Sequence, residues 1–142
     1  MGLFDIFRKK SAPKEQEKRE LTPEDRYRKL WDMWEKNTIP SPYREIMFYK
    51  HEIDSHGRDG HLCYFLALRS KGNVEHAART VIDHAPSAVA ANLEDALRAY
   101  KNYYGVDDEN MKEILEECDF IYCGCAEELT AFLKEYAQTV EM

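Results

Sequence analysis

From Leu21 onward the apolar positions recur every three or four residues, the period of an amphipathic helix, and the polar breaks fall where helices begin and end. Thr22 is a cap residue, Pro23 suits the first helical position, and Glu24 and Asp25 complement the positive helix end. Tyr27, Leu30, Trp31 and Trp34 then form one apolar face. Ser41 and Pro42 restart a helix carrying Tyr43, Ile46, Met47, Tyr49 and Ile53. Gly57 and Gly60 mark a turn, after which LCYFLAL, 62–68, is too apolar to present any side to water. Asn73 caps a helix with Val74, Ala77, Ala78, Val81 and Ile82 on its buried stripe. Pro86 ends that segment and opens the next, because proline disfavours helical geometry in the residue before it.

Val89, Leu93, Ala96, Leu97, Tyr100 and Tyr104 make the following stripe, which Gly105 stops. Asp107 or Asp108 caps a helix with Met111, Ile114, Leu115, Cys118 and Ile121. Gly124 is expected to interrupt it, and a last helix with Leu129, Phe132, Leu133, Tyr136 and Val140 then carries Glu127 and Glu128 at its positive end. No period-2 strand pattern occurs. The expectation is an all-α, single-domain bundle of about six or seven helices over residues 21–142.

The first twenty residues read differently. MGLFDIFRKK puts Leu3, Phe4 and Phe7 on one helical face, with Ile6 beside it and Arg8, Lys9 and Lys10 following. Such a segment can touch an anionic lipid surface through residues 3–10, but only weakly at this length. Ile6 stands where a myristoylation signal needs Ser or Thr. SAPKEQEKRE, 11–20, is a charged linker.

Composition bounds the rest. The 142 residues and 44% hydrophobic content suffice for one full core. No apolar run is long enough to span a bilayer, no secretory signal pattern is visible, and four cysteines are too few for a disulfide scaffold. A cytoplasmic location is expected. The net charge of −7 is concentrated: residues 107–142 hold eleven acids against Lys112 and Lys134. Direct nucleic-acid binding is disfavoured there, because phosphates are repelled by such a surface.

Two constellations could carry chemistry. His51, His56 and His61 recur every five residues, with Cys63 close by. On one continuous helix a five-residue step leaves two rings about 140° apart, so a single helix cannot offer both to one metal. A loop through Gly57 and Gly60 could turn His56 and His61 inward, with Asp54, Asp59 and Cys63 as further donors. Solvated loop histidines and one packing histidine are the plainer reading; a metal-dependent enzyme or metal-binding protein using His51, His56, His61 and Cys63 is the alternative. Cys118, Cys123 and Cys125 follow C-x4-C-x-C, which is neither a zinc knuckle nor a thioredoxin-like motif. They read as small residues at a helix junction, and Cys125, just before an expected helix start, is the thiol whose pKa the helix dipole could lower. No phosphate loop, nucleophile elbow or paired catalytic carboxylates stand out, so no catalytic residue and no cofactor are assigned.

The stretch EIDSHGRDGHLCYFLALRSKGN, with AARTVID, ANLEDALRAY and ECDFIYCGCAEELTAFLKEYAQ, resembles a small bacterial all-helical family related to the DNA-mimic protein C-terminal domain. Gly60, His61, Tyr64 and Phe65 fit its G-[FH]-x-Q-[YF]-F segment; Asp119, Phe120, Tyr122, Leu129 and Tyr136 fit its tail. Cys63 stands where that family usually has glutamine, and the loop 55–59 is longer. The resemblance implies a helical bundle. Together with the acidic C-terminal quarter it points to a non-enzymatic interaction protein that binds a basic partner through Glu113, Glu116, Glu117, Asp119, Glu127, Glu128 and Glu135. A DNA-binding protein whose DNA site is occupied is one such partner. The competing reading is an acidic surface that only maintains solubility, and Trp31 and Trp34 fit a core or a homodimer interface equally.

Overall fold

The computed structural model describes residues 21–142, so the amphipathic segment and linker at 1–20 lie outside the described residues. The architecture is all-helical: α1 (Pro23–Glu35), α2 (Tyr43–His56), a 3-10 turn (Gly57–Asp59), α3 (Gly60–Ser70), α4 (Val74–His84), α5 (Ser87–Tyr103) and α6 (Asp108–Ala137). No helix among the described residues is long and apolar enough to cross a membrane.

Local signals explain most boundaries. Thr22 and Asp25 form a reciprocal capping box, Thr22 Oγ1 accepting from the Asp25 amide and Asp25 Oδ2 from the Thr22 amide, each at 3.1 Å. Gly57, at φ +52°, makes the turn that ends α2. Gly60 serves closeness instead. A Cβ there would lie 3.2 Å from the Ile53 Cα, carbonyl oxygen and Cγ2, so a larger residue needs the end of α2 to give by a few tenths of an ångström. Asp107 Oδ1 accepts from the Asn110 amide and caps α6.

The expected break at Gly124 is absent. α6 runs thirty residues without interruption, about 45 Å at the standard rise. Its buried positions Met111, Leu115, Cys118, Tyr122, Cys125, Leu129 and Leu133 are spaced by threes and fours straight through Gly124, and burial of that stripe outweighs the roughly 1 kcal/mol helix penalty of one glycine. Glu127 and Glu128 therefore sit in mid-helix rather than at a helix start.

α6 is the spine of the molecule. α5 lies along it in the most extensive helix pair, and α1 packs near its C-terminal end. There the Arg26 guanidinium donates to the Ala137 carbonyl at 2.9 Å, an acceptor that the helix end leaves free, and to the Val140 carbonyl just beyond it at 2.6 Å. Tyr43 stacks on Tyr136 nearby. Leu30, Ile46, Met47, Tyr49, Phe65, Leu93, Leu97, Leu115 and Leu129 belong to one continuous core. Trp31 and Trp34 are partly buried against it, edge to face with ring centroids 5.4 Å apart. The segment 62–68 is not apolar-facing on every side as expected, since Leu66 is exposed.

Candidate functional site

Continuity of α6 decides where the candidate acids go. Taking about 100° per residue, Glu113, Glu116, Glu117, Glu127, Glu128 and Glu135 fall within an arc about 120° wide, opposite the buried stripe. All six are exposed. From Glu113 to Glu135 the row extends about 33 Å. About a third of the way along this face Phe120 is 80% exposed and Ile121 47% exposed, the former a large apolar ring set between the acidic groups on either side.

The acids of the other helices mostly have cationic neighbours. Asp25 pairs with Arg28, Glu45 with Arg44, Asp54 with Lys50, Glu75 with Lys101, and Glu94 and Asp95 with Arg98. Among the described residues none of the six α6 glutamates forms an ion pair. Glu113 lies three residues before Glu116 and four before Glu117, so these like charges are helix neighbours and repel one another.

Asp119 does not belong to this face. It is 7% exposed and turned toward α3, where its Oδ1 accepts from the His61 backbone amide at 2.9 Å and from His61 Nδ1 at 2.6 Å. His61 is the second residue of α3, whose own N-cap residue, Asp59, makes no side-chain capping bond. Asp119 thus caps α3 from another helix, placing a carboxylate at its positive end. His61 is fully buried, and its Nε2 lies 2.8 Å from the Tyr49 hydroxyl. Burial holds the Tyr49 hydroxyl well above the usual range, so it stays protonated and shares its hydrogen bond with Nε2, while Nδ1 donates to the Asp119 carboxylate. Beside this, Asp54 takes the Tyr122 hydroxyl at 3.0 Å and the Lys50 ammonium at 2.7 Å. Tyr49 and His61 have no solvent-facing edge, and these hydrogen bonds join α2, α3 and α6.

The remaining candidates disperse. His51 packs against the Trp34 ring, His56 pairs with Glu52 at 3.1 Å, His61 is enclosed as described, and Cys63 is half-buried on α3. Among the described residues no three His, Cys, Asp or Glu side chains are grouped to hold a metal ion. Cys125 is not before a helix start but inside α6 and buried, and burial raises its thiol pKa rather than the dipole lowering it. Cys118 is pushed up to about 11, chiefly by burial.

The sequence reading assigned no particular exposure to Phe120 and missed the capping role of Asp119. The unbroken 3–4 spacing through Gly124 was the available signal for the first, since it fixes which residues of α6 face outward. Comparison of the chain with protein-family profiles, curated proteins and solved structures finds no match.

Proposed function

We propose that the protein is a non-enzymatic interaction module that binds a basic protein surface along the outer face of α6. The observation that carries this reading is the placement of Glu113, Glu116, Glu117, Glu127, Glu128 and Glu135 in one exposed, unpaired row with Phe120 between its two acidic groups. Glutamates that served solubility alone would do so equally well dispersed or paired; held in one arc they repel each other and weaken the helix, and a cationic partner relieves that repulsion. Phe120 supplies the apolar contact that surface charge pairs lack, since exposed pairs alone contribute little affinity.

A DNA-binding protein is the finer form of the partner. One DNA strand places a phosphate about every 3.4 Å of axis, roughly ten over the span of this row, against six carboxylates. The row therefore meets a DNA-binding surface at about half its contacts, and a partner with a flat basic surface is accommodated as well. These alternatives separate in one experiment. The full chain captures its partner from native extract alongside two variants, one carrying Glu113→Lys, Glu117→Lys and Glu127→Lys, the other Phe120→Ser. The expected result is one basic protein lost from both variants, released as salt rises, and displaced by duplex DNA if it binds DNA. Capture that survives charge reversal, or that is indifferent to salt, overturns the proposal.

A further inference from the structure

On a different part of the surface, where α1, α2, α3 and α4 converge, a cavity of about 540 Å³ is lined by residues of opposite character to α6. Its volume is within the usual range for small-molecule sites. Three aromatic side chains, Trp34, Phe48 and Tyr64, contribute to its walls. Two cations, Arg44 and Lys71, face a single acid, Glu45. Glu45 is already engaged, with one oxygen on Ser41 at 2.8 Å and the other on Arg44 at 3.2 Å. Lys71 has no carboxylate partner among the described residues; its ammonium lies 4.3 Å from the centre of the Phe48 ring. With His76, which also lines it, counted neutral, this cavity carries a surplus of one positive charge in a protein of net charge −7.

The second observation is Tyr64. Its side chain is 1% exposed and lines this cavity, yet its hydroxyl has no hydrogen-bond partner among the described residues. A buried donor left unmade is costly, and native proteins rarely retain one without a use. Burial, and Glu45 beside it, push the hydroxyl pKa above its ordinary range, which keeps it a donor at neutral pH.

We propose that this cavity binds a small organic monoanion, a carboxylate on a flat apolar body. The ring lies against Phe48 and Trp34, and the carboxylate takes the Tyr64 hydroxyl and the Lys71 ammonium. A surplus of one positive charge balances a monoanion and leaves a phosphate dianion undercompensated, which selects carboxylate over phosphate. Because none of these residues is on α6, the site stands or falls apart from partner binding there.

The test is a titration of the full chain with 1-naphthoate, followed in ¹H–¹⁵N correlation spectra, with neutral 1-naphthalenemethanol as the matched control. Saturating shifts centred on the Trp34 indole N–H and the Phe48 and Tyr64 amides are expected. Tyr64→Phe, Lys71→Ala and the neutral control should each weaken binding about tenfold, the scale of one charge-assisted hydrogen bond. Lys71 is exposed and Tyr64→Phe removes only an unpaired oxygen, so both variants should fold. Absence of saturating shifts by about 5 mM probe, or equal binding of the neutral control, overturns the assignment.

Discussion

Replacing Asp119 with alanine should unfold the protein more readily than replacing any exposed acid of the same helix. One oxygen of Asp119 serves two buried donors, the His61 amide at 2.9 Å and His61 Nδ1 at 2.6 Å. Alanine leaves both unpaired at a helix start with no side-chain cap of its own. A buried polar group without a partner costs about 1–3 kcal/mol, so two of them cost about 2–4 kcal/mol once some water reaches the vacated position from the surface. That is a large share of the roughly 5–15 kcal/mol that holds a domain of this size together, and corresponds to a fall in Tm of about 6–12 °C. Asp119→Asn keeps an acceptor oxygen and loses only the charge assistance, so it should cost about 1–1.5 kcal/mol. Urea unfolding followed by far-UV circular dichroism measures both, with m unchanged if the native state is intact. Glu116→Ala, one turn away on the exposed face, is the control and should show no measurable loss. If Asp119→Ala is as stable as Glu116→Ala, or Asp119→Asn is as damaging as Asp119→Ala, then Asp119 is not the cap of α3.

Two further outcomes test the continuity of α6 and the environment of its thiols. Gly124→Ala should stabilise the protein by about 0.8–1 kcal/mol in the same unfolding assay, because a Cβ there meets nothing within 4 Å and alanine is the better helix former; no gain, or a loss, would mean that the helix breaks at this glycine. In iodoacetamide labelling near pH 8, exposed Cys123 should react first and buried Cys118 last. The Cys118 thiol, pushed up to about 11, gains reactive thiolate only as pH rises toward that value. Peptide mapping that finds Cys118 or Cys125 modified as fast as Cys123 would contradict the burial of the α6 stripe.

What the sequence made legible was whatever a single element determines by itself. Thr22 as the cap of α1 and Pro23 at its first position are written in local residue type and occur as read, whereas Asp25, expected only to complement the positive helix end, also closes a capping box. Gly124 misled because glycine also ends helices, and the choice between an interior and a terminal glycine is made by tertiary burial on both sides of it. Asp119 was harder. In ECDF it looks like one more member of an acidic run, and nothing local says that it is rotated away from Glu116 and Glu117 toward an uncapped helix start fifty-eight residues earlier in the chain. The histidines were legible as separate: a five-residue step on α2 turns His51 and His56 apart, and the helix end and 3-10 turn before His61 leave it the packing histidine.

The central claim concerns the outer face of α6, and carboxyl footprinting addresses it most directly. Full-length protein, alone and with its captured partner, is labelled with glycine ethyl ester through carbodiimide activation and mapped by mass spectrometry. Protection of Glu113, Glu116, Glu117, Glu127 and Glu128 in the complex, with Asp95 and Glu75 on other helices labelled as before, is the predicted result. Unchanged labelling along α6, with protection confined to other helices, would contradict the account.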